Sequence, residues 1–121
     1  MIKQAIIPLA GLGTRMLPLT SVIPKELMPI NGKPNIQYIL EECIDAGVKE
    51  FIFIISKKKQ SIKKYFFNDN FYKKMIKVKK DKRLIEEFKK IKRYQKMIKF
   101  VYQNKPKGTG DAVLRCKKYI K

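Results

Sequence analysis

Three short runs of the chain are rich in apolar, β-branched and aromatic side chains, and turn-forming or charged residues bound each of them. They are Gln4–Leu9, Phe51–Ile55 and Ile98–Gln103. Runs of this length and composition are typical of strands that are covered on both faces. We therefore predict three buried strands.

Helical spacing follows the first predicted strand. Apolar residues recur at Ile36, Ile39, Leu40, Cys43 and Ile44, which predicts an amphipathic helix from Ile36. Ahead of it, the sequence Asn-Gly-Lys-Pro at residues 31–34 indicates a turn with its proline at the first helical position, and the glycine at residue 47 is the expected cap.

The segment 57–97 is rich in lysine, and we interpret it as a helical insertion on the domain surface. It contains a short helix predicted over Ser61–Phe67, a break at residues 68–70 and one helix within 71–97. After the third strand, a final helix is predicted from Ala112, with Asp111 as its N-cap acceptor. Strands that alternate with helices favour an α/β fold, a doubly wound, Rossmann-like and mostly parallel sheet of about three strands.

The first predicted strand runs into a loop with the composition of a phosphate-binding site. Gly11 and Gly13 allow backbone N–H groups to approach an anion, while Arg15 and Lys25 supply two cations of different geometry. The loop is not a dinucleotide-binding turn, because Met16 occupies the third glycine position, and the chain has no Gly-Lys-Ser/Thr of a Walker loop. For the two glycines alone, an ordinary strand-to-loop turn remains the alternative.

The loop closely resembles a known family signature. Its segments GLGTRMLP and IPKELMPI, followed by KPNIQY, resemble the sugar-phosphate nucleotidyltransferases, and among them most closely the bacterial UTP:glucose-1-phosphate uridylyltransferases. The match is nearly gapless through about Ser56, weak in the lysine-rich middle, and returns over Gln103–Leu114. This resemblance implies a fold of the nucleotidyltransferase type, and residues 1–121 would be its N-terminal nucleotide-binding part.

The resemblance also implies a reaction and roles for the loop. An oxygen of glucose 1-phosphate would attack the α-phosphate of UTP, which gives UDP-glucose and pyrophosphate. As the catalytic residues, Arg15 would hold the departing phosphates and Lys25 the α-phosphate, and the backbone of Gly11, Gly13 and Thr14 would line the triphosphate. The alternative for Lys25 is a surface lysine beside Glu26.

A second glycine-containing loop, at residues 104–111, follows the third predicted strand. By the same resemblance, uracil would lie between the two glycine loops. Gln103 would recognise it together with the backbone of Ala10, Gly11 and Gly108, since a carboxamide both donates and accepts. The alternative for Gln103 is a strand-end side chain that faces water. Asp111 departs from the family pattern, which usually has histidine there, and the preference for UTP over dTTP rests on the family resemblance alone.

The family requires Mg²⁺, but we expect its aspartate ligands, and the whole sugar-binding half, to be missing from these 121 residues. No metal ligand is therefore assigned, and we expect a fragment without useful turnover. The first strand would be left as an unprotected edge, open to a second copy or to a partner that supplies the missing strands.

The composition and charge of the chain leave two alternative functions open. The net charge is +19, and residues 57–99 contain eighteen Lys and Arg against four Asp and Glu. We interpret this as a solvated basic face and keep a nucleic-acid-binding protein as an alternative, beside a catalytically dead nucleotide-binding or regulatory module. Two cysteines without metal-ligand spacing, and no membrane-spanning or signal pattern, predict a cytoplasmic protein without membrane partners.

Overall fold

The computed structural model describes residues 2–11, 13–67, 74–75, 78, 80–103 and 108–120. Within these residues the chain forms an α/β fold with a three-stranded sheet and a two-stranded hairpin. The strands are β1 (Gln4–Pro8), β2 (Pro29–Ile30), β3 (Lys33–Pro34), β4 (Glu50–Ile55) and β5 (Ile98–Tyr102). The helices are α1 (Asn35–Asp45), α2 (Gln60–Phe66), α3 (Lys82–Gln95) and α4 (Gly108–Leu114).

The three predicted strands are confirmed, and they are parallel, as the intervening helices require. Their order is β1-β4-β5, with Ala5 opposite Phe51 in one pairing and Phe51 opposite Ile98 in the other. The central strand β4 is the core of the molecule, because all of its residues from Phe51 to Ile55 are at most 1% exposed. A strand that is hydrogen-bonded on both edges and covered on both faces needs a continuous apolar sequence.

Alternate residues of β4 face two different layers of helices. Phe51, Phe53 and Ile55 belong to a cluster with buried side chains of α1, α2 and α3. Ile52 and Ile54 belong to a second cluster with Ala112 and Cys116 from the C-terminal helical segment. Helices thus cover both faces of the sheet, and the predicted doubly wound, Rossmann-like fold class is confirmed.

The connection from the first loop to α1 is a tight hairpin. Asn31 and Gly32 both have positive φ, 52° and 76°, which is the turn that joins β2 to β3. The turn was predicted, but Pro34 is the N-cap of α1 rather than its first residue. The predicted glycine cap is present, since Gly47 has φ 102° and its N–H donates to Ile44 O at 2.9 Å.

The segment 57–97 contributes to the core as well as to the surface. Ile62 and Phe66 of α2 are fully buried, and Ile91 and Tyr94 of α3 lie in the same cluster. The helix predicted within residues 71–97 is α3, which spans only Lys82–Gln95. It begins there because the Asp81 side chain caps it by accepting a hydrogen bond from the N–H of Arg83. The predicted break at residues 68–70 lies outside the described residues.

A polar group ties the hairpin to the helical layer. The Glu41 carboxylate of α1 accepts hydrogen bonds from Lys33 of β3 and from the Tyr94 hydroxyl of α3, the latter at 2.7 Å. Burial by itself would raise the pKa of Glu41, but these donors together outweigh burial and hold the pKa below its usual value.

Both cysteines are free, with Cys116 buried and Cys43 partly buried. None of the helices in the described part of the chain has the length and apolar character needed to cross a bilayer.

The first prediction concerns the aromatic cluster around β4. The ring of Phe53 lies 5.7 Å from those of Phe66 and Phe100, in edge-to-face geometry. Because Phe53→Ala leaves a cavity among these rings, we expect it to lower the free energy of unfolding by about 3–5 kcal/mol in urea titrations. The exposed Ile2→Ala is the control, expected within about 0.5 kcal/mol of wild type. Equal effects of the two variants would contradict the assigned core.

Candidate functional site

The two glycine loops begin on either side of the end of β4. The N–H of Leu9, directly after β1, donates to Ile54 O at 2.7 Å, and the N–H of Gln103, directly after β5, donates to Ile55 O at 2.8 Å. Neighbouring strands lie about 4.8 Å apart, so the loops leave the same edge of the sheet about 10 Å from each other.

The segment after the second loop packs back towards the first. Ala112 of α4 and Ala10 at the start of the first loop belong to one buried cluster. Further along, the amide Nε2 of Gln4 in β1 donates to Tyr119 O at 2.9 Å. The C-terminal helical layer therefore brings α4, which follows the second loop, beside Ala10, which begins the first loop.

Gly13 makes a turn that requires glycine. It has φ 62° and precedes the 3₁₀ turn Thr14–Met16. A Cβ at this position would lie 3.2 Å from Cγ2 of Thr20, and the Thr20 hydroxyl donates to Gly13 O at 2.7 Å. Nothing lies within 4 Å of a Cβ at Gly11, so the two glycines differ in what the fold demands of them. Leu12 between them lies outside the described residues.

The two cations assigned to phosphate belong to this loop, and both are exposed. Arg15 lies in the 3₁₀ turn that follows Gly13. Lys25 begins another 3₁₀ turn, Lys25–Leu27, and its Cδ lies 3.7 Å from the Cβ position of Gly13. The fold thus places the stem of Lys25 against the glycine turn, although Lys25 lies twelve positions after Gly13 in the chain.

A cavity of about 400 Å³ separates the first loop from the turn after β4. The volume is in the range of small-molecule sites. Gly11, Thr14 and Thr20 line one side, and Ser56, Lys58 and Lys59 line the other. The two lysines were missed as site residues, because the whole lysine-rich segment is interpreted from the sequence as a solvated basic face. That interpretation is wrong for Lys59, which is 7% exposed and bonded to Glu26.

Gln103 does not face water, since it is only 5% exposed. Its Nε2 donates to Oδ2 of Asp111 at 2.8 Å, and the same oxygen accepts from Nε of Arg115 at 2.9 Å. Asp111 was predicted to cap the final helix, but that is wrong because α4 begins at Gly108 and Asp111 lies inside it. Residues 104–107 of the second loop lie outside the described part of the chain.

The described residues do not fit a Mg²⁺ site. They contain no group of three or more His, Cys, Asp and Glu side chains that could hold a metal ion. The carboxylates nearest the loops are already bonded to cations, Glu26 to Lys59 and Asp111 to Arg115.

A family model described as nucleotidyl transferase matches residues 4–121. The UTP–glucose-1-phosphate uridylyltransferase of Mycoplasma pneumoniae is 42% identical, over 98% of this chain and 40% of that protein. The enzyme of the same name from Bacillus subtilis is 40% identical, with the same coverage of 98% and 40%. This chain thus spans 40% of the length of these curated relatives.

Among solved structures, a UTP-bound UGPase from Acinetobacter baumannii is similar to this fold. The TM-score is 0.90 at 36% sequence identity, and the match covers 98% of this chain and 42% of that one.

The second prediction compares alanine substitutions at Gly13 and at Gly11. Gly13→Ala would force a side chain into left-handed backbone and against Thr20, so we expect it to lower the free energy of unfolding by about 1–2 kcal/mol or more. Gly11→Ala is the matched control and meets open space. Urea unfolding curves compare the variants, and a Gly11→Ala effect as large as that of Gly13→Ala would contradict the loop geometry.

Proposed function

Because the chain belongs to the nucleotidyl transferase family, we propose that it is the nucleotide-binding part of a uridylyltransferase that acts on UTP and glucose 1-phosphate. Its relatives from Mycoplasma pneumoniae and Bacillus subtilis are UTP–glucose-1-phosphate uridylyltransferases, which supports this substrate pair, and the UTP-bound UGPase from Acinetobacter baumannii supports UTP as the nucleotide.

The single observation that carries the proposal is the common anchor of the two loops. Leu9 and Gln103 are hydrogen-bonded to consecutive carbonyls at the end of β4, Ile54 and Ile55. Ligands of open α/β sheets bind at the carboxyl ends of the strands. A nucleoside triphosphate that spans the end of β4 would meet one loop with its phosphates and the other with its base.

The reaction is an in-line displacement at phosphorus. A phosphate oxygen of glucose 1-phosphate forms a bond to the α-phosphorus of UTP, and the bond from that phosphorus to the oxygen bridging the β-phosphate breaks. UDP-glucose forms and pyrophosphate leaves. Such a reaction mainly requires alignment of two polyanions and stabilisation of the charge between them.

Cations of the first loop would supply that stabilisation. We assign the departing β- and γ-phosphates to Arg15 and the α-phosphate to Lys25, with the backbone of Gly11, Gly13 and Thr14 along the triphosphate. The position of Lys25 against Gly13 supports a shared role, because the cation and the glycine backbone would then act on the same phosphates.

Base recognition is assigned to Gln103 with the backbone of Ala10, Gly11 and Gly108. The hydrogen bond from Gln103 to Asp111 fixes the direction of the amide, and Arg115 holds the carboxylate in turn. An amide held in a fixed direction suits a base that offers adjacent N–H and carbonyl groups, as uracil does. Residue Asp111 would therefore act on the base only through Gln103.

The third prediction tests the phosphate role of Lys25. Since a charge-assisted hydrogen bond to phosphate would be lost, we expect Lys25→Ala to weaken UTP binding about tenfold by isothermal titration calorimetry. The control is Lys3→Ala, another exposed lysine, which precedes β1 at the opposite edge of the sheet and should leave the affinity within about twofold.

RNA binding, measured over a series of salt concentrations, distinguishes the proposed function from the alternative of a nucleic-acid-binding protein. If the basic face were the functional site, RNA affinity would fall steeply with salt and would not respond to Lys25→Ala, and UTP would not bind specifically. That pattern would contradict the proposed function.

The fourth prediction concerns the base. We expect Gln103→Ala to reduce the ratio of UTP to CTP affinity about tenfold, because cytosine presents a different donor and acceptor pattern to the amide. Arg115→Ala is the comparison: it removes one bond to Asp111 but leaves Gln103 in place, so its effect should be smaller. An unchanged ratio in Gln103→Ala would show that this residue does not read the base.

A further inference from the structure

A buried ion pair lies directly behind the first loop. The ammonium Nζ of Lys59 contacts both carboxylate oxygens of Glu26, at 2.9 and 3.0 Å. The two residues are only 7% and 6% exposed, whereas the Lys89–Glu86 pair on α3 is about two thirds exposed. This pair joins positions 33 residues apart in the chain.

The pair connects the first loop to the turn that follows the central strand β4. Glu26 lies in the 3₁₀ turn Lys25–Leu27 of the proline-containing loop. Lys59 lies in the turn Lys57–Lys59 that follows β4, where its N–H donates to Ser56 O at 2.9 Å. The loop is thereby attached to the end of the fully buried central strand.

The ion pair limits the positions open to Lys25, the residue next to Glu26. Lys25 is exposed, but its neighbours Pro24 and Glu26 are both buried. Its backbone is therefore held from both sides, while its side chain runs beside Gly13 at 3.7 Å from the Cβ position. A cation held in place before the ligand arrives loses less freedom on binding than one on an unattached loop.

Stability alone is a poor explanation for such a pair. Removing two charges from water is costly, and buried ion pairs can often be replaced by apolar residues without loss of stability. What a buried pair with two short contacts does provide is a defined geometry between the segments it joins. Lys59 also lines the cavity beside Gly11 and Thr14, so the pair lies at the site itself.

We propose that Glu26 and Lys59 are positioning residues, which hold Lys25 over the glycine turn so that the triphosphate meets a prearranged cation. The inference rests on the proposed nucleotide-binding function. In it, Glu26 and Lys59 act through Lys25, and neither of them needs to contact the nucleotide.

The test is a double-mutant cycle on UTP affinity, measured by calorimetry on the full 121-residue chain. We expect Glu26→Gln to weaken UTP binding about tenfold in the wild-type background and to have no further effect in the Lys25→Ala background, because the cation it positions is then absent. A merely structural role predicts additive effects in the two backgrounds.

Two further variants keep the test informative. The charge swap Glu26→Lys with Lys59→Glu restores the pair, so it should recover affinity if the pair acts by position; failure to recover would assign Lys59 a direct phosphate contact and overturn the inference. Glu41→Gln breaks another partly buried lysine-carboxylate pair, with Lys33, and should lower the unfolding midpoint but leave UTP affinity within about twofold.

The outcomes separate the two proposals. If wild type binds UTP but Glu26→Gln and Lys25→Ala are additive, or if folded Glu26→Gln binds as wild type does, the positioning role is wrong and the proposed function stands. If wild type does not bind UTP, both are overturned. Unfolding curves recorded for every variant show that each is folded at the titration temperature.

Discussion

Burial of β4 from Phe51 to Ile55 is the constraint on which the rest of the structure depends. The strand is paired on both edges by parallel strands and covered on both faces by helices, so its position and direction are fixed. Every βα connection then delivers its loop to the same edge of the sheet. The two glycine loops lie close together because they flank this one strand, not because they contact each other along the chain.

The same constraint explains why adjacent lysines of a basic segment have different surroundings. Lys58 and Lys59 are neighbours in a run of three lysines, yet Lys58 is exposed and Lys59 is buried against Glu26. Directly after them, Ile62 and Phe66 enter the core. Because the end of β4 holds this turn in place, Lys59 faces the first loop and pairs with Glu26. The net charge of the segment is an average over its residues and does not predict this pairing.

A carboxylate beside each loop is paired with a cation from another position. Glu26 of the first loop is bonded to Lys59 of the turn after β4, and Asp111 of α4 is bonded to Arg115. Each pairing reduces the repulsion that a carboxylate would exert on phosphate, and each also fixes a neighbour that we assign to the ligand, Lys25 in one case and Gln103 in the other. In both halves of the proposed site, a buried or partly buried ion pair thus lies next to a residue that we assign to the ligand.

Local sequence determined the three strands, the Asn-Gly hairpin turn and the glycines of the first loop, because side-chain periodicity and the backbone freedom of glycine act within a few residues. It also carried the family resemblance, which the matched family confirms. Tertiary structure alone decided that Lys59 is buried, that Gln103 is turned towards Asp111, and that α4 begins at Gly108 rather than at Ala112. Glu26 and Lys59 lie 33 positions apart in the chain and are brought together by the tertiary fold, so no local pattern distinguishes Lys59 from the two lysines before it.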